Sequence, residues 1–165
     1  MNQYSKILIE LSMLDKAEDL AQWSHKNQFR RSSKKPYIIH PKRVQLLARD
    51  LGYPKKIQII ALLHDVIEDS DDPVVLDRIK YTFGEEVFNA LLALTHEKQT
   101  SYKDYLLGVA TNNPLAFKVK MVDMYDNLTD NPSPKQVMKY RDAIIYLIDN
   151  GFENIPSIIL NTLKI

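Results

Sequence analysis

Cysteine is absent from this sequence, and glycine occurs only four times in 165 residues. Without thiols there is no disulfide, no thiolate nucleophile and no Cys-based zinc site. Histidine and carboxylate side chains remain as the plausible metal ligands. No run of about 18 consecutive apolar residues occurs, which excludes a transmembrane helix. The segment Met1 to Lys6 lacks a basic region leading into an apolar stretch and a small-residue cleavage site. A soluble, cytoplasmic chain with no membrane partner is therefore expected. Neither sign of charge is in excess: 22 Lys and Arg stand against 21 Asp and Glu. No global field points to nucleic acid or an anionic bilayer. Alternating strand patterns, internal repeats and low-complexity linkers are also missing.

What is present is an ordinary globular balance, 45% hydrophobic and 26% charged, suited to a single domain over residues 1–165. The apolar spacing of Ile7, Leu8, Leu11, Leu14, Leu20, Ala21 and Trp23 predicts helix from Tyr4 to about Gln28, broken near Asp15. Trp23 reads as core. A basic loop follows, and Pro41 suits the first turn of a helix ending near Leu51 before Gly52. Pro54 opens a central helix. Asp72-Pro73 reads as an N-cap and first-turn proline for Val74 to Tyr81, and Phe83-Gly84 as a turn. Further helices are expected from Glu85 to Leu94, Ser101 to Ala110, Pro114 to Leu128, Gln136 to Asp149 and Ser157 to Leu163. The fold class is an all-α bundle.

The central helix carries the chemistry. Ala61-Leu-Leu-His-Asp-Val-Ile-Glu-Asp69 reads as a buried helix interrupted by His64, Asp65, Glu68 and Asp69. Helical spacing of four stacks His64 with Glu68 and Asp65 with Asp69. Buried charges must be paired, titrated or bound to a metal. His40, just before Pro41, and Asp123, amid Met121, Val122 and Met124, can join His64 and Asp65 as N/O ligands of one divalent ion. Such a set suits a metal of higher coordination better than closed tetrahedral zinc. Glu68 and Asp69 are then placed to exchange protons. Structural readings compete: His64 as a core histidine bonded to a neighbouring helix, Asp123 as a buried partner of Lys120 or Arg43. His25 reads as a helix-surface residue and His96 as a turn residue, both outside the site. The run Lys26, Arg30, Arg31, Lys34, Lys35 is either a solvated helix end or a polyphosphate clamp. Lys98, in the loop after Thr95, is a weaker candidate of the same kind.

Together, His25-Lys-Asn-Gln-Phe-Arg30, Pro36-Tyr-Ile-Ile-His-Pro41, Leu62-Leu-His-Asp-Val-Ile-Glu-Asp69, Phe83-Gly84 and Lys120-Met-Val-Asp-Met-Tyr-Asp-Asn127 resemble the HD-domain phosphohydrolases. Within them the pattern is most similar to the guanosine tetraphosphate (ppGpp) hydrolases of the stringent response and their small stand-alone relatives. The resemblance runs from Leu14 to Asn150. It implies an HD-domain helical bundle with manganese held by His40, His64, Asp65 and Asp123, and catalytic carboxylates at Glu68 and Asp69. The implied reaction removes pyrophosphate from the 3′ position of ppGpp to leave GDP, with Arg30 and Asn127 contacting the nucleotide. Iron, zinc or magnesium also fit His/Asp ligation. The family commonly has a basic residue, then an aromatic or His, before the Asn, and often an Arg shortly after it. Here Asp126, an acid that the resemblance places beside the nucleotide pocket, and Thr129, where an arginine is missing, depart from that order. Two alternatives follow: a different nucleotide phosphate as substrate, or a non-catalytic nucleotide-binding module.

Overall fold

The computed structural model describes residues 3–30, 33–70, 72 and 74–165. Among them the helices run α1 (Gln3–Ser24), α2 (Ile39–Asp50), α3 (Lys55–Leu63), α4 (Val74–Phe83), α5 (Glu85–Leu94), α6 (Tyr102–Asn112), α7 (Pro114–Thr129), α8 (Pro134–Asp149) and α9 (Ser157–Leu163). An isolated bridge between Phe29 and Pro36 is the only β pairing among the described residues, and the fold is all-α. Arg31, Pro73 and the side chains of Ile7, Leu8 and Leu11 lie outside the described residues.

Local signals account for most boundaries. Asn113 accepts a hydrogen bond from the Ala116 N–H and Ser133 from the Gln136 N–H, each just before a first-turn proline. Ser101 caps α6 through the Asp104 N–H. The Asp72 carboxylate accepts from the Val74 N–H ahead of α4. Gly84 enters α5 at φ +83°, a left-handed backbone that a Cβ would strain.

Two hydrophobic cores meet along α7, and α6 also reaches both, through Tyr105 and Val109 in the first and Leu106 in the second. The first collects Leu20, Val44, Ile60, Leu63, Ile79 and Leu91 from α1 to α5. The second collects Leu106, Ile144, Leu147 and Ile159 from α6, α8 and α9. Helix α7 belongs to both, giving Ala116, Val119 and Val122 to the first and Met121, Met124 and Leu128 to the second. A helix that is apolar on most sides is a buried strut. Within this one, Asp123 and Asp126 are nonetheless buried, at 3% and 2% exposure. Helices α2 and α3 both pack on α7, so its acidic pair meets the ends of those two helices.

Four sequence expectations are corrected. Helix α1 runs unbroken through Asp15, because the inward positions Leu14, Ala17, Leu20 and Ala21 continue across it while Asp15 stays exposed. Trp23 is 42% exposed, with the Lys26 ammonium 6.0 Å from its ring centroid. Helix α1 ends at Ser24, and the turn beyond it rotates His25 inward instead, to 1% exposure. Finally, α3 stops at Leu63. The His64 ring Nδ1–H donates to the Ala61 carbonyl at 2.8 Å, which a continued helix would offer to the Asp65 N–H. Residues 64–68 therefore form turns, closed by Val66 N–H to the Leu63 carbonyl and Asp69 N–H to the Asp65 carbonyl.

No helix among the described residues is long and apolar enough to cross a membrane. Leu63 is fully buried immediately before the motif. Leu63→Ala is expected to lower unfolding free energy by about 2–5 kcal/mol, read as a lower urea midpoint at unchanged slope. A midpoint equal to the parent's would show that this end of α3 lies outside the cooperative core.

Candidate active site

The end of α3, the start of α2 and the middle of α7 converge. His40 Nε2 lies 3.1 Å from Asp123 Oδ1 and 3.8 Å from Asp65 Oδ2. His64 Nε2 lies 3.0 Å from Asp65 Oδ2 and 3.6 Å from Asp123 Oδ1. Donor atoms of His40, His64 and Asp65 all fall within 4.8 Å of one another.

Hydrogen bonds on the far side of each ring decide what these atoms present. The Ala61 carbonyl can only accept, so His64 carries its proton on Nδ1. The Asp126 carboxylate, 2.7 Å from His40 Nδ1, assigns the same tautomer there. Both Nε2 atoms then turn lone pairs toward two carboxylates. His64 Nε2 is buried with no hydrogen-bond partner of acceptable geometry. Such a cluster of acceptors repels itself unless protons or a cation sit among them. Burial opposes charging of both rings, yet the surrounding aspartates outweigh it and raise both pKa values. Burial likewise opposes ionisation of Asp65 and Asp123; for Asp65 His64, and for Asp123 chiefly Lys120, reverse that and lower their pKa values. Imidazole and carboxylate donors, each ring oriented by a carboxylate or a backbone carbonyl, fit a divalent metal ion.

Supporting residues brace this centre. Asp126 receives His40 on Oδ2, and Arg43 at 2.7 and 2.8 Å. Burial alone would raise its pKa; His40 and Arg43 lower it. Arg43 continues to Asp130, which also accepts from Arg30 at 3.1 Å. Asn127 donates to Asp123 Oδ1 at 2.6 Å and accepts from Arg30 at 2.9 Å. Lys120 pairs with the other Asp123 oxygen at 2.9 Å. The Tyr37 hydroxyl donates to Asp65 at 2.5 Å. The structural reading of Asp123 as a Lys120 partner is thus realised together with its place beside the histidines, and Arg43 goes to Asp126.

A cleft opens over the centre in two connected parts. The inner cavity, about 230 Å³, includes His40, Asp65, Glu68, Lys120 and Asp123 in its walls. The outer one, about 590 Å³, includes Gln28, Phe29, Asp69 and Gln136. Arg30, Tyr37 and Asn127 line both. Glu68 accepts the backbone N–H of His96 at 3.2 Å. Burial, then the charges of Asp65 and Glu68, push the Asp69 carboxyl up to about 6.

The other expected positions divide. Of the basic run, Arg30 enters the cleft, whereas Lys34 and Lys35 are exposed in the turn that the Phe29–Pro36 bridge closes. Lys98 is exposed in the α5–α6 turn, and the described cleft walls include His96 of that loop but not Lys98. His25 and His96, left outside the site by the sequence reading, both border it. His25 packs on Tyr37 with ring centroids 4.9 Å apart, its Nδ1 3.7 Å from Asp69. Asp126 was read as an acid beside the nucleotide pocket; it lies beneath His40, away from the cleft walls. Its offset of three from Asp123 on one helix was the available signal. The sequence marks Arg43 only as a possible partner of Asp123 and Tyr37 only as part of a motif, and nothing local marks Asp130.

Comparison with known proteins agrees with this architecture. A solved metazoan structure, titled as an ortholog of SpoT that hydrolyzes ppGpp, superimposes with a TM-score of 0.73 over 92% of each chain at 22% identity, a likeness of fold. A guanosine-3′,5′-bis(diphosphate) 3′-pyrophosphohydrolase of Aquifex aeolicus is 32% identical over 70% of this chain but only 17% of its own length. The first curated relatives are similarly long, and this chain spans less than a fifth of each. The mouse guanosine-3′,5′-bis(diphosphate) 3′-pyrophosphohydrolase MESH1 is 30% identical over 73% of this chain and 70% of its own. A family model described as HD domain matches residues 17–111, which include His40, His64 and Asp65. With that match and the mouse relative's coverage, the chain belongs to the HD-domain family.

Proposed function

We propose that the chain is a manganese-dependent ppGpp 3′-pyrophosphohydrolase, and that His40, His64, Asp65 and Asp123 hold the metal. The observation that carries this reading is the meeting of two buried imidazole Nε2 atoms with two carboxylates beside a cleft reached by Arg30. The printed activities of the Aquifex and mouse relatives supply the substrate. When bound, the divalent ion supplies charge against the phosphoryl oxygens and acidifies water.

The protein's own groups do the rest. Glu68, in the inner cavity and anchored by the His96 N–H, takes the proton of the attacking water. Asp69, raised to about 6, can carry a proton near neutral pH and delivers it to the ribose 3′-oxygen as the P–O bond breaks. Water's oxygen ends on pyrophosphate, and GDP leaves. Arg30, at the junction of the two cavities, contacts the nucleotide; Asn127 holds Arg30 against Asp123. This reaction fits a cytoplasmic nucleotide pool. The departures at Asp126 and Thr129 do not argue for another substrate. Asp126 orients His40, and the Thr129 hydroxyl donates to the Asp126 carbonyl at 2.9 Å.

Metal-stripped protein is expected to release GDP and pyrophosphate from ppGpp only after manganese is restored, and His64→Ala protein to release neither. Turnover of another nucleotide in place of ppGpp would discard the substrate and keep the centre. Tight nucleotide binding without turnover would replace the enzyme by a binding module. Glu68→Gln should cut kcat about 100-fold or more with little change in KM; full activity would remove Glu68 from proton transfer. Asp126→Asn is expected to weaken metal binding about 10–100-fold. Competition with a chelating dye reads that loss directly, and an unchanged affinity would reduce Asp126 to packing.

A further inference from the structure

The inner cavity has a wall that the reaction above leaves unused. Facing the donor cluster stand Tyr102 and Tyr105 of α6 and Lys139 and Tyr140 of α8. The Lys139 ammonium sits 4.3 Å from the Tyr102 ring centroid and 4.9 Å from that of Tyr140, and those two rings stack at 5.7 Å. Ring faces hold an ammonium in place without neutralising it, so its N–H groups stay available to an anion. Among the described residues no carboxylate pairs with Lys139, in contrast to Lys120, whose charge is taken by Asp123. Partial burial against the two rings, and then the like charge of Lys120, push the Lys139 pKa down, with Asp123 and Glu68 pulling the other way without pairing with it.

The second observation is independent. The Tyr102 hydroxyl is buried, lies in a residue of the cavity wall and has no hydrogen-bond partner. A buried hydroxyl left unpaired costs about 1–3 kcal/mol, and natural folds seldom leave one so. Tyr105 does not share this condition, since its hydroxyl donates to the Leu94 carbonyl at 2.5 Å. An unpaired O–H and an unpaired ammonium therefore border one small cavity that Asp65, Asp123 and Glu68 also line. A ligand that satisfies both sets of groups must bring anionic oxygens to the lysine and tyrosine. It must also reach the donor cluster through a further phosphoryl group.

We infer that Lys139 and the Tyr102 hydroxyl form a pyrophosphate subsite, which grips the outer phosphate of the group being removed while the inner phosphate lies over the donor cluster. This deepens the pyrophosphohydrolase reading and rests on it. The lysine's position over the Tyr102 and Tyr140 rings directs the outer phosphate toward α6 and α8. It makes a diphosphate at the reacting position a better fit than a single phosphate.

The test is calorimetric titration of the manganese-loaded full chain with inorganic pyrophosphate in excess metal, a measurement that needs no turnover. Lys139→Gln should weaken pyrophosphate binding about 10-fold or more, Lys139→Arg should stay within about 3-fold of the parent, and Tyr102→Phe should lose several-fold. Guanosine should bind the parent and all three variants alike. Lys139 is exposed at the cavity rim, so its replacement leaves the fold intact. Unchanged pyrophosphate affinity in Lys139→Gln would overturn the subsite even if ppGpp is hydrolysed. So would an equal loss for guanosine, or no pyrophosphate binding by the parent. Failure of ppGpp turnover with pyrophosphate affinity still dependent on Lys139 would instead discard the assigned reaction and keep the subsite.

Discussion

Like charges and lone pairs forced together organise this protein. Asp65 and Asp123 point oxygens at the same small volume as two imidazole nitrogens whose protons are committed elsewhere. In water these groups would separate. Here the helices leave them no room to do so, because Asp123 rides on a strut buried on both sides and His64 is fastened to its own helix end. Much of the surrounding polar structure serves to hold that repulsion in check. Lys120 neutralises one aspartate oxygen, Tyr37 and Asn127 donate to others, and Asp126 with Arg43 stabilises the His40 orientation. A divalent ion removes the remaining imbalance at its source.

The arrangement also separates two tasks that would interfere if mixed. The acidic groups of the inner cavity come from the α3 end and α7, while Lys139 and the Tyr102 hydroxyl come from α8 and α6. Arg30 stands at the mouth, where the outer cavity begins, already tethered by Asn127 and Asp130. A pre-tethered arginine forfeits less freedom on binding than a mobile surface lysine would. Of the basic residues singled out in the sequence as phosphate candidates, Arg30 lines the cleft, and Lys34 and Lys98 stay exposed outside its walls.

Much of the fold was legible because its signals are local. Serine, asparagine and proline at helix starts, and glycine in left-handed backbone, act within a few residues. Helices such as Glu85–Leu94 and Ser157–Leu163 therefore fall where spacing alone puts them. The histidines and acids that converge could also be named, since polar groups in apolar context stand out. Long-range consequences could not be read. Which of Trp23 and His25 turns inward depends on where α1 stops, and where α3 stops depends on a ring bonding to its own backbone. Asp126 looked like an intruder near a nucleotide until its partner, 86 residues away, was in place. Lys139 carried no mark in the sequence, because its environment is made by rings on another helix as well as its own.

The sharing of α7 between the two cores has a consequence for how the molecule opens. In many proteins the elements that carry function sit at the low-stability end and detach by themselves. Here the helix bearing Asp123 cannot leave without exposing apolar surface from both cores at once. Its amides, with those of α3, should exchange with solvent only through global unfolding, while the loops beside the cleft open locally. The helix that carries the buried acids of the candidate site and the last part of the fold to come apart are then the same piece of chain.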